Sequence, residues 1–215
     1  MISNVAKSLL EKYRTSVDAS YDIHFTDDLF KGAQFFLNFS DGKISNIFYI
    51  PGENSELDAL VLSSLELSRR IGVKYFIMAN FREVENFLRD DATKFAWERV
   101  LAHKEAWEAS QVVLLRGFIY SLLLKSGLDF VSFPSRYEDR VTLITKQILH
   151  VNSVLANASI GSVKIVALED TSLYCHYELL PEQTNTLDLS LALLDGVSEY
   201  LNFCYGSNSI KLVAQ

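Results

Sequence analysis

The chain has 215 residues, 49% of them hydrophobic and 22% charged, with a formal net charge of −7 and a pI near 5.1. This is the profile of a packed globular protein, and the acidic balance, with no Lys/Arg-rich run, sets phosphate backbones and anionic membrane surfaces against it: no nucleic acid and no membrane is expected as a partner. Two cysteines, Cys175 and Cys204, are too few for a disulfide scaffold or for a tetrahedral zinc site, so reduced thiols in a cytoplasmic protein are the expectation.

Met1 to Arg14 lacks the unbroken apolar stretch of a secretory signal. Instead Val5, Leu9, Leu10, Tyr13 and Val17 recur at helical spacing and predict a first helix over 4–17. Tyr21, Ile23 and Phe25 then alternate as a short strand. Residues 33–40 and 43–50 are two β-rich runs joined by Asp41-Gly42, the dipeptide of a type I′ hairpin. That loop predicts the pairs Phe39–Ile44, Leu37–Asn46 and Phe35–Phe48 on one face, with Phe36–Ile47 and Gln34–Tyr49 on the other. Pro51-Gly52 ends the hairpin, and Ser55 with Asp58 reads as the capped start of a helix. Leu57, Leu60, Val61, Leu65 and Ile71 form its apolar side, with Arg69, Arg70 and Gly72 at its end. Val73 to Met78 reads as a buried strand. From Arg82 to Lys125 the composition predicts two or three helices, read as an insertion at 81–129; its apolar run Val112 to Leu124 carries Arg116 and falls short of the ~20 residues of a membrane span.

The C-terminal segment, 130–215, is the most regular. Ser135 and Glu138 form a capping box, and Val141, Ile144, Ile148, Val151 and Leu155 predict one apolar seam on a long helix. Val163, Ile165 and Ala167 alternate in one strand. Leu173, Cys175, Tyr177 and Leu179 alternate in the next, with Tyr174, His176 and Glu178 facing the other way. The two pair antiparallel through residues 169–172. Asn185 and Asp188 cap a last helix with Leu187, Leu191, Leu194, Val197, Leu201 and Cys204 on its apolar face, and a short strand at 210–213 closes the chain. The fold class is α+β, a twisted antiparallel sheet packed by helices with the helical insertion in mid-chain, forming one compact domain.

Chemistry is sparse. His24 and His176 alternate with strand residues and lack further ligands, so no metal, no cofactor and no catalytic residue is assigned. Arg99 and His103 resemble the helical Arg-then-His pair of HEPN ribonucleases, but the spacing is one residue short and Lys104 follows. With Glu105 and Glu108 on the same helix they define the enzymatic alternative, a hydrolase or nuclease around His103. A small-ligand sensor is a third reading. Two surfaces are candidate partner-binding sites: Phe36, Ile47 and Tyr49 on the hairpin, should the helix over 57–71 not lie across them, and Tyr174 with His176 on the outward side of their strand. The plainer expectation is that the helix covers the hairpin.

The stretch from Phe130 to Gly206, with Phe133-Pro134-Ser135, His150 to Asn157, the strands 161–167 and 173–179, Leu180-Pro181 and the helix from Leu187, resembles the C-terminal half of the YbjN-like family and class I type III secretion chaperones. That resemblance implies a homodimer that holds an extended polypeptide client by adding its backbone to sheet edges. The hairpin and helix over 33–71 are also similar in topology to iron–sulfur scaffolds of the NifU and SufE kind, with Ala33 where a cysteine would be expected. The function expected is that of a non-enzymatic protein-binding protein.

Overall fold

The computed structural model describes residues 2–15, 20–26, 28–40, 43–71, 90–102, 104–127, 132, 134–158, 160–169, 172–180, 187–206 and 210–214. The protein is α+β, and among the described residues the strands form two three-stranded sheets, where one was expected. The chain divides into two compact units, Met1–Leu114 and Leu115–Gln215. The strand expected over 73–78 lies outside the described residues.

The first unit contains α1 (Asn4–Tyr13), β1 (Ile23–Thr26), β2 (Gln34–Ser40), β3 (Lys43–Ile50), α2 (Ser55–Ile71), α3 (Asp91–Ala102) and the start of α4 (Lys104–Lys125). Ser3 caps α1, its hydroxyl accepting from the Ala6 N–H at 3.2 Å. The helix stops at Tyr13, earlier than its apolar stripe predicts, because Arg14 turns extended and Thr15 N–H donates to the Tyr49 carbonyl at 3.1 Å. That segment runs parallel to β3 and covers its edge. Val17 is outside the described residues.

β1, β2 and β3 form an antiparallel sheet in that order. The predicted pair Phe39–Ile44 is present, and Ser40 faces Lys43 across the two-residue loop. Beyond it the predicted register is wrong by one. A bulge opposite Asn38–Phe39 absorbs Ser45, so Leu37 meets Ile47, Phe36 meets Phe48 and Phe35 meets Tyr49. One extra residue reverses the alternation of a strand. Here it brings Ile44, Ile47 and Tyr49 all to buried positions, joining Ile23, Phe25, Phe35 and Leu37.

α2 packs against β3, α1 and α3. Its cap is Asn54, not Ser55: the Asn54 side-chain oxygen accepts from Glu56 N–H and Leu57 N–H, both at 3.1 Å. Asp58, read from sequence as the capping partner, reaches back to Gly52 N–H at 3.0 Å instead. Every residue from Asp58 to Ser68 is buried, so α2 runs through the middle of the unit and has no solvent side there. Its serines adapt by donating to their own helix: Ser63, Ser64 and Ser68 each bond the carbonyl four residues earlier.

The second unit contains the rest of α4, then α5 (Tyr137–Asn157), β4 (Gly161–Glu169), β5 (Ser172–Leu179), α6 (Leu187–Tyr205) and β6 (Lys211–Ala214). The sheet order is β4-β5-β6, with β4 antiparallel and β6 parallel to β5. β4 and β6 are therefore its two edges. α5 lies on β4, and α6 lies on β5 and β6. Gly196 lets α4 approach α6, since a Cβ there would stand 2.8 Å from the Arg116 carbonyl oxygen. At Gly161 a Cβ would fall 2.1 Å from the Glu178 carbonyl oxygen, so only glycine permits the close start of the β4–β5 ladder.

Three sequence expectations change in this unit. α5 begins at Tyr137, so Ser135 stands before the cap, and Arg136 occupies the cap without a side-chain bond. The entry is held by Arg140, which donates to the carbonyls of Pro134 at 2.7 Å and Ser135 at 3.1 Å. A second bulge between Ile165 and Ala167 turns Leu168, and not Ala167, into the core. Finally, the buried seam of α5 is Ile144, Gln147, Ile148, Val151 and Leu155; Val141 lies off it.

Candidate functional site: the groove between α5 and β4

The expected partner-site residues are not gathered in one place. Ile47 and Tyr49 are each 3% exposed and lie on the core side of their sheet, where they offer no surface to a partner. Phe36 lies on the opposite face and is 4% exposed, because Tyr21 and His24 cover it: the His24 ring stacks on Phe36 at 4.6 Å and the Tyr21 ring lies 4.3 Å away. Tyr174 and His176 stand, as their alternation predicts, on the side of β5 away from buried Leu173 and Cys175. Tyr174 is half-buried beside Val213 and His176 is exposed opposite Lys164.

Among the described residues, several potentially reactive groups are engaged with neighbours. Among the described residues no three His, Cys, Asp or Glu side chains converge on a metal position. His103 lies outside the described residues, and of Glu105 and Glu108 only the helical backbone is described. Ser126 and His150 form a close pair that sequence reading missed, with Oγ 2.7 Å from Nε2. The Ser126 hydroxyl donates to the Leu123 carbonyl at 2.6 Å, so the imidazole is the donor to Oγ and the pair closes the last turn of α4. Burial pushes the Cys175 thiol up to about 11, away from the thiolate form that a nucleophile needs.

An electrostatic cluster surrounds Glu66, whose side chain is fully buried on α2. Burial alone would raise its carboxyl, but hydrogen bonds from Arg69, Tyr13 and Arg70 outweigh it and bring Glu66 to about 2. Arg69 grips both carboxylate oxygens at 2.8 and 2.9 Å, and Arg70 adds a bond at 2.9 Å. The Tyr13 hydroxyl donates to Glu66, and Arg70 continues to Asp90 at 2.9 Å. The cluster ties α1, α2 and the start of α3 together. The two arginines, placed by the sequence at the end of the helix, have a specific carboxylate partner.

A surface of another kind lies between α5 and β4. It is a groove of about 360 Å³ whose walls are side chains of these two elements. Tyr137, Val141, Thr145 and Leu149 all line it. Their four-residue spacing makes them one ridge along α5, about 18 Å long at 1.5 Å per residue. The ridge is open: Leu149 is 68% exposed, Tyr137 55% and Val141 37%, and Val166 on β4 adds 46%. Ile144 and Ile148 form the floor with Val163, Leu168 and Leu173. Exposed apolar side chains concentrated along one groove mark an interaction surface, whereas singly scattered ones do not.

The β4 edge bordering this groove is closed by side chains of α5. Asn152 accepts from Val163 N–H at 2.8 Å and donates to the Val163 carbonyl at 2.7 Å, taking both edge groups as a neighbouring strand would. The Tyr137 hydroxyl donates to the Leu168 carbonyl at 3.1 Å. The other edge repeats the device. Asn202 on α6 holds Ile210 N–H and carbonyl, both at 2.9 Å, and the Ser198 hydroxyl oxygen accepts from Leu212 N–H at 3.0 Å. No known protein family, characterised protein or solved structure matches this chain. The groove is thus characterised by its own geometry: apolar, open, and bordered by a strand edge whose backbone is already engaged.

One sequence signal pointed to it. Ile148 and Leu149 are adjacent on α5, and neighbours on a helix are about 100° apart, so one seam cannot hold both. A single seam through Val141 hid the second row.

Proposed function

We propose that this is a non-enzymatic protein-binding protein whose contact surface is the groove between α5 and β4. The observation that carries the reading is the exposed ridge Tyr137-Val141-Thr145-Leu149 facing Val166 across an apolar floor. Burying such a ridge removes apolar surface from water at roughly 25 cal/mol per Å², the main driving force of association. The engaged state of Glu66, Ser126–His150 and Cys175 agrees with the non-enzymatic side of the proposal.

A photo-crosslinking amino acid at Leu149, used in cells that make the full chain, tests this. An adduct of defined mass is expected, and Val166→Asp on the facing wall should reduce it about tenfold or more. The same probe at Lys43, at the tip of the β2–β3 hairpin, should give none. An adduct that is indifferent to Val166→Asp, or no adduct at Leu149, overturns the reading. A self-adduct identifies the partner as a second copy of the chain.

A further inference from the structure

Resting on that reading of the groove, we infer that its ligand is an amphipathic helix from another polypeptide, laid along α5, and not a strand added to the sheet. Strand addition needs free N–H and carbonyl groups along an edge. On β4 both groups of Val163 are taken by Asn152 and the Leu168 carbonyl by Tyr137, while the bulge at Ile165–Ala167 breaks the ladder between them. On β6 Asn202 and Ser198 do the same at Ile210 and Leu212. At Val163, Leu168, Ile210 and Leu212 a strand would have to displace these amides and hydroxyls, and at those positions it would regain only the bonds already made.

A helix needs none of those groups, because its backbone is satisfied internally. It packs by setting ridges of side chains between the ridges of a neighbour, and the four-residue row on α5 is one such ridge. Charge gives the ligand its polarity. Around the Tyr137 end stand the acids Glu138, Asp139 and Glu169 against the cations Arg136 and Arg140, a net charge of one negative; toward the Leu149 end stand Lys146 and Lys164, the latter lining the groove. Glu138 and Lys146 lie on one row of α5 about 12 Å apart, too far to neutralise each other. The complementary ligand is a helix with apolar residues at three- and four-residue spacing, cationic near the Tyr137 end and anionic near the Leu149 end.

Two synthetic 16-residue peptides of identical composition test this against the full-length protein. One arranges its leucines at helical spacing with lysines at one end and glutamates at the other; its companion alternates leucine with polar residues in a strand pattern. Fluorescence anisotropy should show binding of the first, with a gain of helical circular dichroism. Leu149→Asp should weaken it about tenfold or more, and Glu138→Lys by up to about five-fold, an effect that fades with added salt. The strand-patterned peptide should bind only to Asn152→Ala, where the edge is opened. Equal or tighter binding of the strand-patterned peptide to the unaltered protein overturns the inference while leaving the groove as a binding surface. Binding of neither peptide, with no Leu149 adduct in cells, sinks both. Dimerisation by light scattering that Leu149→Asp abolishes assigns the groove to a second copy and also overturns the helical-ligand inference.

Discussion

Glu66 shows how much one side chain decides. An ionised carboxylate with no exposed surface is tolerated only when fully hydrogen-bonded and paired, and Glu66 has Arg69, Arg70 and Tyr13 around it. Its carboxyl is held at about 2, below its ordinary 4.5, so the folded state binds the proton less readily than the unfolded chain. The stability this supplies is complete above about pH 4.5 and is lost as pH falls toward about 2. Glu66→Gln should therefore lower the free energy of unfolding at pH 7 by about 3 kcal/mol, since it takes the counter-charge from Arg69 and leaves Arg70 with Asp90 alone. It should also flatten the acid limb of the stability profile. Urea titrations from pH 7 to pH 3 on both proteins read this, and parallel profiles for the two would contradict it. Nothing in the sequence marked Glu66 out among the polar residues of a helix. Its meaning comes from Tyr13, 53 residues away.

At the scale of elements, the two faces of α5 make a measurable contrast. Ile148→Ala should cost about 2–4 kcal/mol, as a truncation in a packed core does. Leu149→Ala, one residue along and 68% exposed, should stay within about 0.5 kcal/mol. Thermal unfolding of the two variants measures it, and equal losses would mean that the ridge is core. The elements themselves were largely legible. The alternation of β5, the hairpin of β2 and β3 and the apolar helices α2, α5 and α6 all follow from residue periodicity. What was not legible was set by single residues acting across elements. The bulges at Ser45 and near Val166 each add one residue, and nothing in their local composition differs from a regular strand. They reversed the faces of Ile47, Tyr49 and Leu168, which takes Ile47 and Tyr49 off the face that carries Phe36, itself covered by Tyr21 and His24. Half of the groove could have been read from Leu149 beside Ile148; the other half, Val166, could not. Helix starts moved for a similar reason: Asn54 accepts the N–H bonds expected of Ser55, and Arg140 holds the entry to α5 by donating to the Pro134 and Ser135 carbonyls where a Ser135 cap was expected.

At the scale of the whole molecule, each unit covers a small sheet with helices, and in each an edge strand is closed by a segment of the same chain: Arg14–Thr15 at β3, and the side chains of α5 and α6 at β4 and β6. The asparagine ties have a further consequence in time. Asn152 reaches 11 residues ahead and Asn202 8 residues ahead, so each tie closes a short loop. The pairing of Tyr174 with Val213 closes a far longer loop by comparison. Closing short loops costs less chain entropy than closing long ones. Each helix should thus fasten its own following strand while the sheet is still unassembled, and β6 should dock beside β5 last. In stopped-flow experiments Asn152→Ala and Asn202→Ala should then slow folding, while Cys175→Ala, on β5 beside β6, should chiefly speed unfolding. Asparagine variants that leave the folding rate untouched would reverse that order of events. On this account, the residues that deny the sheet to foreign strands are also the ones that guide its own strands into place.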